Sequence, residues 1–316
     1  MGGGLCLVRQ RLWSKMQHKS AANSDLLPSL GIVAGGTLWG IYWLPLRALG
    51  EQGLGPGWSG AALYSILLVL LAPFAYRRRR ELKAGGLGLL LTGLLTGAAF
   101  ALYAAAILLT EVVRVLLLFY LTPVWSTLLG MFLLGERLTL NRALALAVGF
   151  VGLLVVLGIG SQFPWPRNLG DWMALAAGIL WAYGSLRVYR VGQTATFEQI
   201  FVFVLGGAVV SVACVVLFAD LMGPAPARAQ LAGIVPWLAV ASLLMIPMLA
   251  LTIWPATRLS PARLGILLMA EIVVGVSSAA LLSGEPFGLR ELSGTLLILA
   301  AGIVEVWRPP AKQAPS

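Results

Sequence analysis

Apolar stretches about twenty residues long follow one another almost without interruption along this chain, near 29–49, 58–76, 85–108, 112–134, 142–160, 169–188, 197–219, 233–254, 262–283 and 289–307. About 20 residues of helix, at ~1.5 Å each, cross the hydrocarbon core of a bilayer. Backbone polar groups inside lipid must be satisfied within their own segment, so each stretch predicts a helix rather than an open strand. Between 85 and 134 only Thr110 and Glu111 interrupt the run, and between 233 and 283 only the break from Arg258 to Pro261 does so. Each of these runs is more than twice the length of one span, so each predicts a tight helical hairpin.

The composition agrees. Hydrophobic residues make up 59% of the 316-residue chain and charged residues 11%, against about 25% charged in a soluble domain. There is too little polar surface to coat a globule in water. The net charge of +10 raises nucleic-acid binding, but its distribution excludes it. Basic residues gather between apolar stretches and in the tails, most densely at Arg77, Arg78, Arg79, Arg80 and Lys83. With the N-terminus inside and alternating spans, 17 of the 22 Lys and Arg fall on the inner side. That bias predicts an inner-membrane protein with both termini in the cytoplasm. The start of the chain lacks the apolar core of a secretory signal, which predicts a cytoplasmic tail over 1–28. A second tail is expected over 308–316. The two cysteines, Cys6 and Cys214, and the single histidine, His18, supply neither a disulfide framework nor an intramembrane metal site. No cofactor is expected, and none of the glycine patterns sits in a nucleotide-binding setting.

The chain repeats itself. Residues 109–140 and 259–289 both open with Leu-Thr or Leu-Ser, carry an arginine a few residues on (Arg114, Arg263), run apolar and close at Gly-Glu (Gly135-Glu136, Gly284-Glu285). A weaker echo joins 35–43 to 177–185 and pairs Trp39 with Trp181. The repeat divides the chain into five-span halves, 29–160 and 161–307. Because five is odd, the second half enters the membrane from the opposite side, which predicts an inverted repeat with a site at the midplane.

Leu38-Trp39-Gly40 in the first span, Tyr120-Leu121-x-Pro123 in the fourth, and the doubled Gly-Glu followed by a glycine-containing span together resemble the drug/metabolite transporter superfamily, EamA type. The resemblance covers about 29–307. It implies an all-α membrane fold of ten helices as two inverted five-helix repeats. It also implies export of amino acids and other metabolites, with a coupled proton or by facilitated diffusion. Gly53-Leu54-Gly55-Pro56 and Ala62-Leu63-Tyr64-Ser65 are similar to the aromatic amino acid exporters of that superfamily. One departure stands out: the second half has Ala270-Glu271 where the first has Leu121-Thr122-Pro123.

Glu271 is the acid placed in mid-span, where an ionisable side chain costs roughly 2.5–3.5 kcal/mol. It should face the bundle interior, as a contact for a substrate amine, as a proton-coupling group, or as a tie between helices. Trp39, Tyr42 and Trp43 lie at i, i+3 and i+4 and so on one helix face. Tyr103, Tyr120, Trp181, Tyr183 and Trp254 lie in spans that the resemblance places around a cavity. Such rings stack on planar substrates or on cations, and they also serve in packing and interface belts. Trp58, Tyr76, Trp172, Trp237 and Trp307 sit near span ends and fit the belt. The pairs Gly31/Gly35, Gly36/Gly40 and Gly93/Gly97 predict close helix packing. Pro45, Pro123, Pro247 and Pro255 predict bends, with Pro123 beside Tyr120 as the hinge. Glu136 and Glu285 complement the N-terminal ends of the helices that follow.

The function these features predict is secondary transport of a small metabolite through a lipid bilayer. A membrane-embedded enzyme would need a catalytic cluster of His, Asp, Ser or Cys, and a receptor or structural protein would not need an inverted duplication.

Overall fold

Every one of the apolar stretches is helical. The computed structural model describes residues 25–110, 112–156, 165–191, 196–283 and 288–306. The tails with Cys6, His18, Trp307, Arg308 and Lys312, together with Glu111, Gly284 and Glu285, lie outside the described residues. Helix α1 covers 25–41, followed by α2 (Trp43–Glu51), α3 (Pro56–Arg77), α4 (Arg79–Leu109), α5 (Val112–Phe119), α6 (Thr122–Leu134) and α7 (Leu140–Val156). The rest of the chain forms α8 (Leu169–Val191), α9 (Thr196–Leu217), the short α10 (Ala219–Met222), α11 (Leu231–Ala256), α12 (Pro261–Leu268), α13 (Ala270–Ser283) and α14 (Leu289–Val306). No strand occurs among the described residues.

Among the described residues, seven helical segments are long and apolar enough to cross a membrane: Asp25–Glu51, Gly57–Arg77, Arg79–Ala106, Arg114–Leu134, Thr196–Leu217, Arg228–Ala256 and Pro261–Leu282. Their outer faces present large apolar side chains to the surroundings, among them Val69 at 72% exposure, Phe132 at 80% and Leu281 at 84%. A water-soluble monomer rarely carries such a coat. The protein is a multi-pass membrane protein. Tyr76, Trp172 and Trp237, near helix ends, are also exposed, as an interfacial aromatic belt requires.

Three stretches read as single helices each lose regular hydrogen bonding at one or two residues. Tyr42, Leu121 and Met269 keep right-handed helical φ and ψ (−67° and −16°, −67° and −8°, −60° and −13°), so each is a break in the hydrogen-bond ladder and not in the course of the helix. The first breaks at Tyr42, between α1 and α2, where Pro45 has no N–H to offer the Ile41 carbonyl. The fourth breaks at Tyr120 and Leu121, between α5 and α6. There Pro123 cannot bond the Phe119 carbonyl, and the Thr122 hydroxyl donates to it instead at 2.6 Å. The ninth breaks at Met269, between α12 and α13, with no proline involved. Glu271 then stands in the first turn of α13, where a negative charge favours a new helix N-terminus. The fourth and ninth breaks fall at matching positions of the two repeated segments.

The boundary of α4 also differs from the expected 85–108. The helix begins at Arg79, leaving Arg78 alone between α3 and α4. Arginine, lysine and glutamate are good helix formers, so the charged run continues the helix past the apolar core. Gly86, at φ 54° and ψ −153°, kinks it near the transition.

Glycine sets the helix spacing. Side chains at Gly93 and Gly97 of α4 would collide with Val202, with the Phe203 carbonyl and with Gly207 of α9. In α7 and α14 a side chain at Gly152 would lie 2.8 Å from the Gly294 carbonyl oxygen, and one at Gly294 would lie 2.7 Å from that of Gly152. Gly31 and Gly35 face α11, while Gly36 and Gly40 face α13. The glycine pairs therefore serve close packing, and α1 uses both of its small faces.

Candidate functional site

The site grows out of the two matched breaks. Against the start of α13 lies α1: a side chain at Gly36 would meet the Glu271 amide nitrogen at 3.2 Å, and one at Gly40 its carbonyl oxygen at 2.7 Å. Only glycine allows this approach, and it fixes the Glu271 backbone in the middle of the bundle. The Glu271 side chain is half-buried. Its carboxyl lies beside the Tyr120 hydroxyl and close to Tyr103 of α4. The Tyr120 ring is 3% exposed, and its hydroxyl is buried without a partner in hydrogen-bond geometry. Nearby, Gly265 of α12 packs onto Pro123, with 3.2 Å between its would-be side chain and the Pro123 Cα. The start of α6 thus packs on α12 one turn before Met269.

Aromatic rings connect this point to the rest of the bundle. Ring centroids of Tyr103 and Phe119 are 4.5 Å apart, those of Phe119 and Tyr120 5.5 Å, and those of Phe119 and Phe100 6.1 Å. Phe100 also contacts Trp39 at 4.9 Å, Trp181 at 5.0 Å and Phe203 at 5.4 Å. Trp39 meets Tyr42 edge to face at 5.7 Å. The polar ends are tied down: Trp39 Nε1 donates to Thr252 Oγ1 at 3.1 Å, Trp43 Nε1 to Ser278 Oγ at 3.0 Å, and the Tyr42 hydroxyl to Met245 Sδ at 3.7 Å. These bonds spread the trio over α11 and α13.

The structure therefore brings together Trp39, Tyr42, Tyr103, Tyr120, Trp181 and Glu271, with Trp43 and Pro123 alongside. Trp181 is 1% exposed and buttresses Phe100. Tyr183, two residues on, lies about 200° round α8 from Trp181. Trp254 packs over Gly31, and its ring carries the Arg258 guanidinium 4.8 Å from the centroid. Sequence reasoning missed Phe100 and Phe119, the residues that link most of these rings. Phe100 stands three residues before Tyr103 on α4 and Phe119 next to Tyr120, which was the available signal.

Charged groups elsewhere are matched locally. Arg114 Nη2 lies 2.5 Å from Asp171 Oδ2, with that carboxylate fully buried. Thr110 Oγ1 and the Arg167 backbone N–H also donate to Asp171, at 2.9 and 2.8 Å. Asn168 caps α8 by accepting the Asp171 N–H at 2.9 Å. Arg263, the counterpart of Arg114 in the repeat, lies 3.8 Å from Asp25, and Arg142 lies 2.6 Å from Glu136. Glu136 is thus the partner of an arginine on the following helix, α7. A separate cleft between α3, α4, α9 and α10 is lined by Gly57, Gly60, Ala104, Ser211, Cys214 and Met222, among others. It offers small residues and no charge.

Comparison with known proteins bears on the family and the fold. Residues 26–158 match the model of the EamA-like transporter family. Over 185 residues the chain is 26% identical to a Salmonella typhimurium protein described as a "Probable amino-acid metabolite efflux pump", covering 57% of this chain and 62% of that protein. It thus spans less than two thirds of that relative's length. A solved crystal structure shares the fold, with a TM-score of 0.65 at 22% identity, over 89% of this chain and 96% of the other.

Proposed function

From a chain whose residues 26–158 belong to the EamA-like transporter family, we propose a secondary exporter of small metabolites, amino acids and their relatives, aromatic ones included, across the plasma membrane. Two oppositely oriented five-helix units, 29–160 and 161–307, enclose the site and expose it to each face in turn. Both termini lie in the cytoplasm. The paired breaks at Tyr120–Leu121 and Met269, at equivalent places of the repeated segments, support this arrangement.

A single observation carries the reading: an ionisable side chain, Glu271, stands half-buried in the interior of an apolar bundle, beside Tyr120, Tyr103 and the ring chain. An ionisable residue at this depth marks a substrate or proton path by default. Trp39, Tyr103 and Tyr120 form the walls, Tyr42, Trp43 and Trp181 hold them, and Pro123 against Gly265 is the hinge. The relative's description as an efflux pump for an amino-acid metabolite supports both the direction and the substrate class.

Counterflow in proteoliposomes tests this proposal. Purified protein in vesicles preloaded with an unlabelled candidate metabolite should accumulate the labelled form above protein-free vesicles, and some member of a panel of amino acids and their derivatives should do so. A flat response across the panel would contradict it.

A further inference from the structure

The chemistry around Glu271 specifies the substrate more narrowly than the family does. We infer that, among the amino acids and their relatives, the site favours an organic cation, an aromatic or aliphatic amine without a free carboxylate, over a zwitterionic amino acid. The inference rests on the proposed site.

The first ground is charge. Among the described residues, Glu271 is the ionisable acid beside Tyr120 and Tyr103. Three of the arginines that reach into the helical body face other acids, Arg114 facing Asp171, Arg142 facing Glu136 and Arg263 facing Asp25, and a fourth, Arg187, donates to the Thr92 hydroxyl and the Gly88 carbonyl of α4. A half-buried carboxylate is partly stripped of water, and a cation beside it offsets that desolvation; a substrate ammonium supplies one. The second ground is the surrounding surface. The half-buried rings of Trp39 and Tyr103 adjoin the carboxyl through Phe100, Phe119 and Tyr120, and aromatic faces attract cations. An ammonium has three N–H donors. The Glu271 carboxylate and the Tyr120 hydroxyl oxygen beside it are acceptors for such donors, with Tyr103 close by.

The third ground is what a substrate carboxylate would meet. Its usual partners are arginine, lysine or free N–H groups at a helix start. At the α5–α6 break the N–H groups of Tyr120, Val124 and Trp125 are occupied. The Tyr120 N–H bonds the Leu116 carbonyl at 2.8 Å, and those of Val124 and Trp125 bond the Leu121 carbonyl at 2.9 and 3.1 Å. Pro123 has none. At the α12–α13 break the Ile272 N–H bonds the Met269 carbonyl at 3.0 Å, and the first turn already holds the Glu271 charge. A carboxylate here would lose its water and face a like charge.

The experiment compares three probes of one skeleton on the full-length protein in detergent and in proteoliposomes: phenethylamine, phenylalanine and 3-phenylpropionate. Each is measured by displacement of a labelled amine and by counterflow. The inference predicts phenethylamine binding at least tenfold tighter than phenylalanine, and no binding of 3-phenylpropionate. Glu271→Gln should weaken phenethylamine at least tenfold, and Glu271→Asp should restore part of it. Because both variants are near-isosteric, a matched thermal transition separates lost binding from lost fold. Phenylalanine exchanging as well as or better than phenethylamine would overturn the inference and leave the transport reading standing. Exchange of none of the three while another metabolite exchanges would overturn the inference alone. A protein that exchanges nothing at all would overturn both.

Discussion

At the scale of single residues, polar groups in this bundle divide into those with built partners and those that face the centre. Asp171 belongs to the first kind. It takes two oxygens' worth of donors from Arg114, Thr110 and the Arg167 backbone with no exposed side-chain surface. Removing one partner of a buried pair strands the other. Asp171→Asn is therefore expected to destabilise the protein by about 3 kcal/mol, at the low end of that cost, read as a lower unfolding midpoint in detergent. Replacing both partners with apolar residues of similar volume, Arg114→Met with Asp171→Leu, should recover much of the loss. An unchanged midpoint in Asp171→Asn would remove the pair from the stability account. Glu271 belongs to the second kind, and its isolation was legible in the sequence because a mid-span acid is rare. Its partner Tyr120 was also named there, although the contact itself joins helices about 150 residues apart, a separation that local pattern does not encode. Phe100 and Phe119 escaped notice for a different reason: phenylalanine in an apolar span looks like any other lipid-facing or packing residue.

At the scale of elements, hydropathy fixed where helices would form but not where they would break. Pro123 signalled one break, and Pro45 the break before it. The break at Met269 has no such mark, and the run from Pro261 to Ser283 reads as one span. Conversely Pro247 and Pro255 lie within the continuous α11, where neighbouring helices and local adjustment tolerate a missing bond. The glycine pairs were read as packing seams, and at α4 and α9 the seam leaves no room at all. Gly97→Ala would place a methyl group against the Phe203 carbonyl and the Gly207 amide, backbone atoms that cannot rotate away. A cost of about 1–3 kcal/mol or more follows from overpacking. A denaturant or thermal midpoint should fall accordingly, whereas Gly302→Ala, with open space around it, should leave the midpoint in place. Equal behaviour of the two variants would mean that α4 and α9 do not approach as described.

At the scale of the whole molecule, the apolar coat and the seven spanning segments establish a membrane protein, and the chain from 26 to 158 carries a transporter family's pattern. The duplication was visible as paired arginines and Gly-Glu marks, and the coincidence of the α5–α6 and α12–α13 breaks gives it a structural counterpart. The account's central claim is that the space at Glu271 communicates with both sides of the membrane at different times. Sided labelling of Glu271→Cys, in a background with Cys6 and Cys214 replaced, addresses it directly. Reconstituted protein is treated with a membrane-impermeant thiol reagent from the outside or from the lumen only. The account predicts modification from either side. Modification from one side alone under every condition, or from neither, would contradict it.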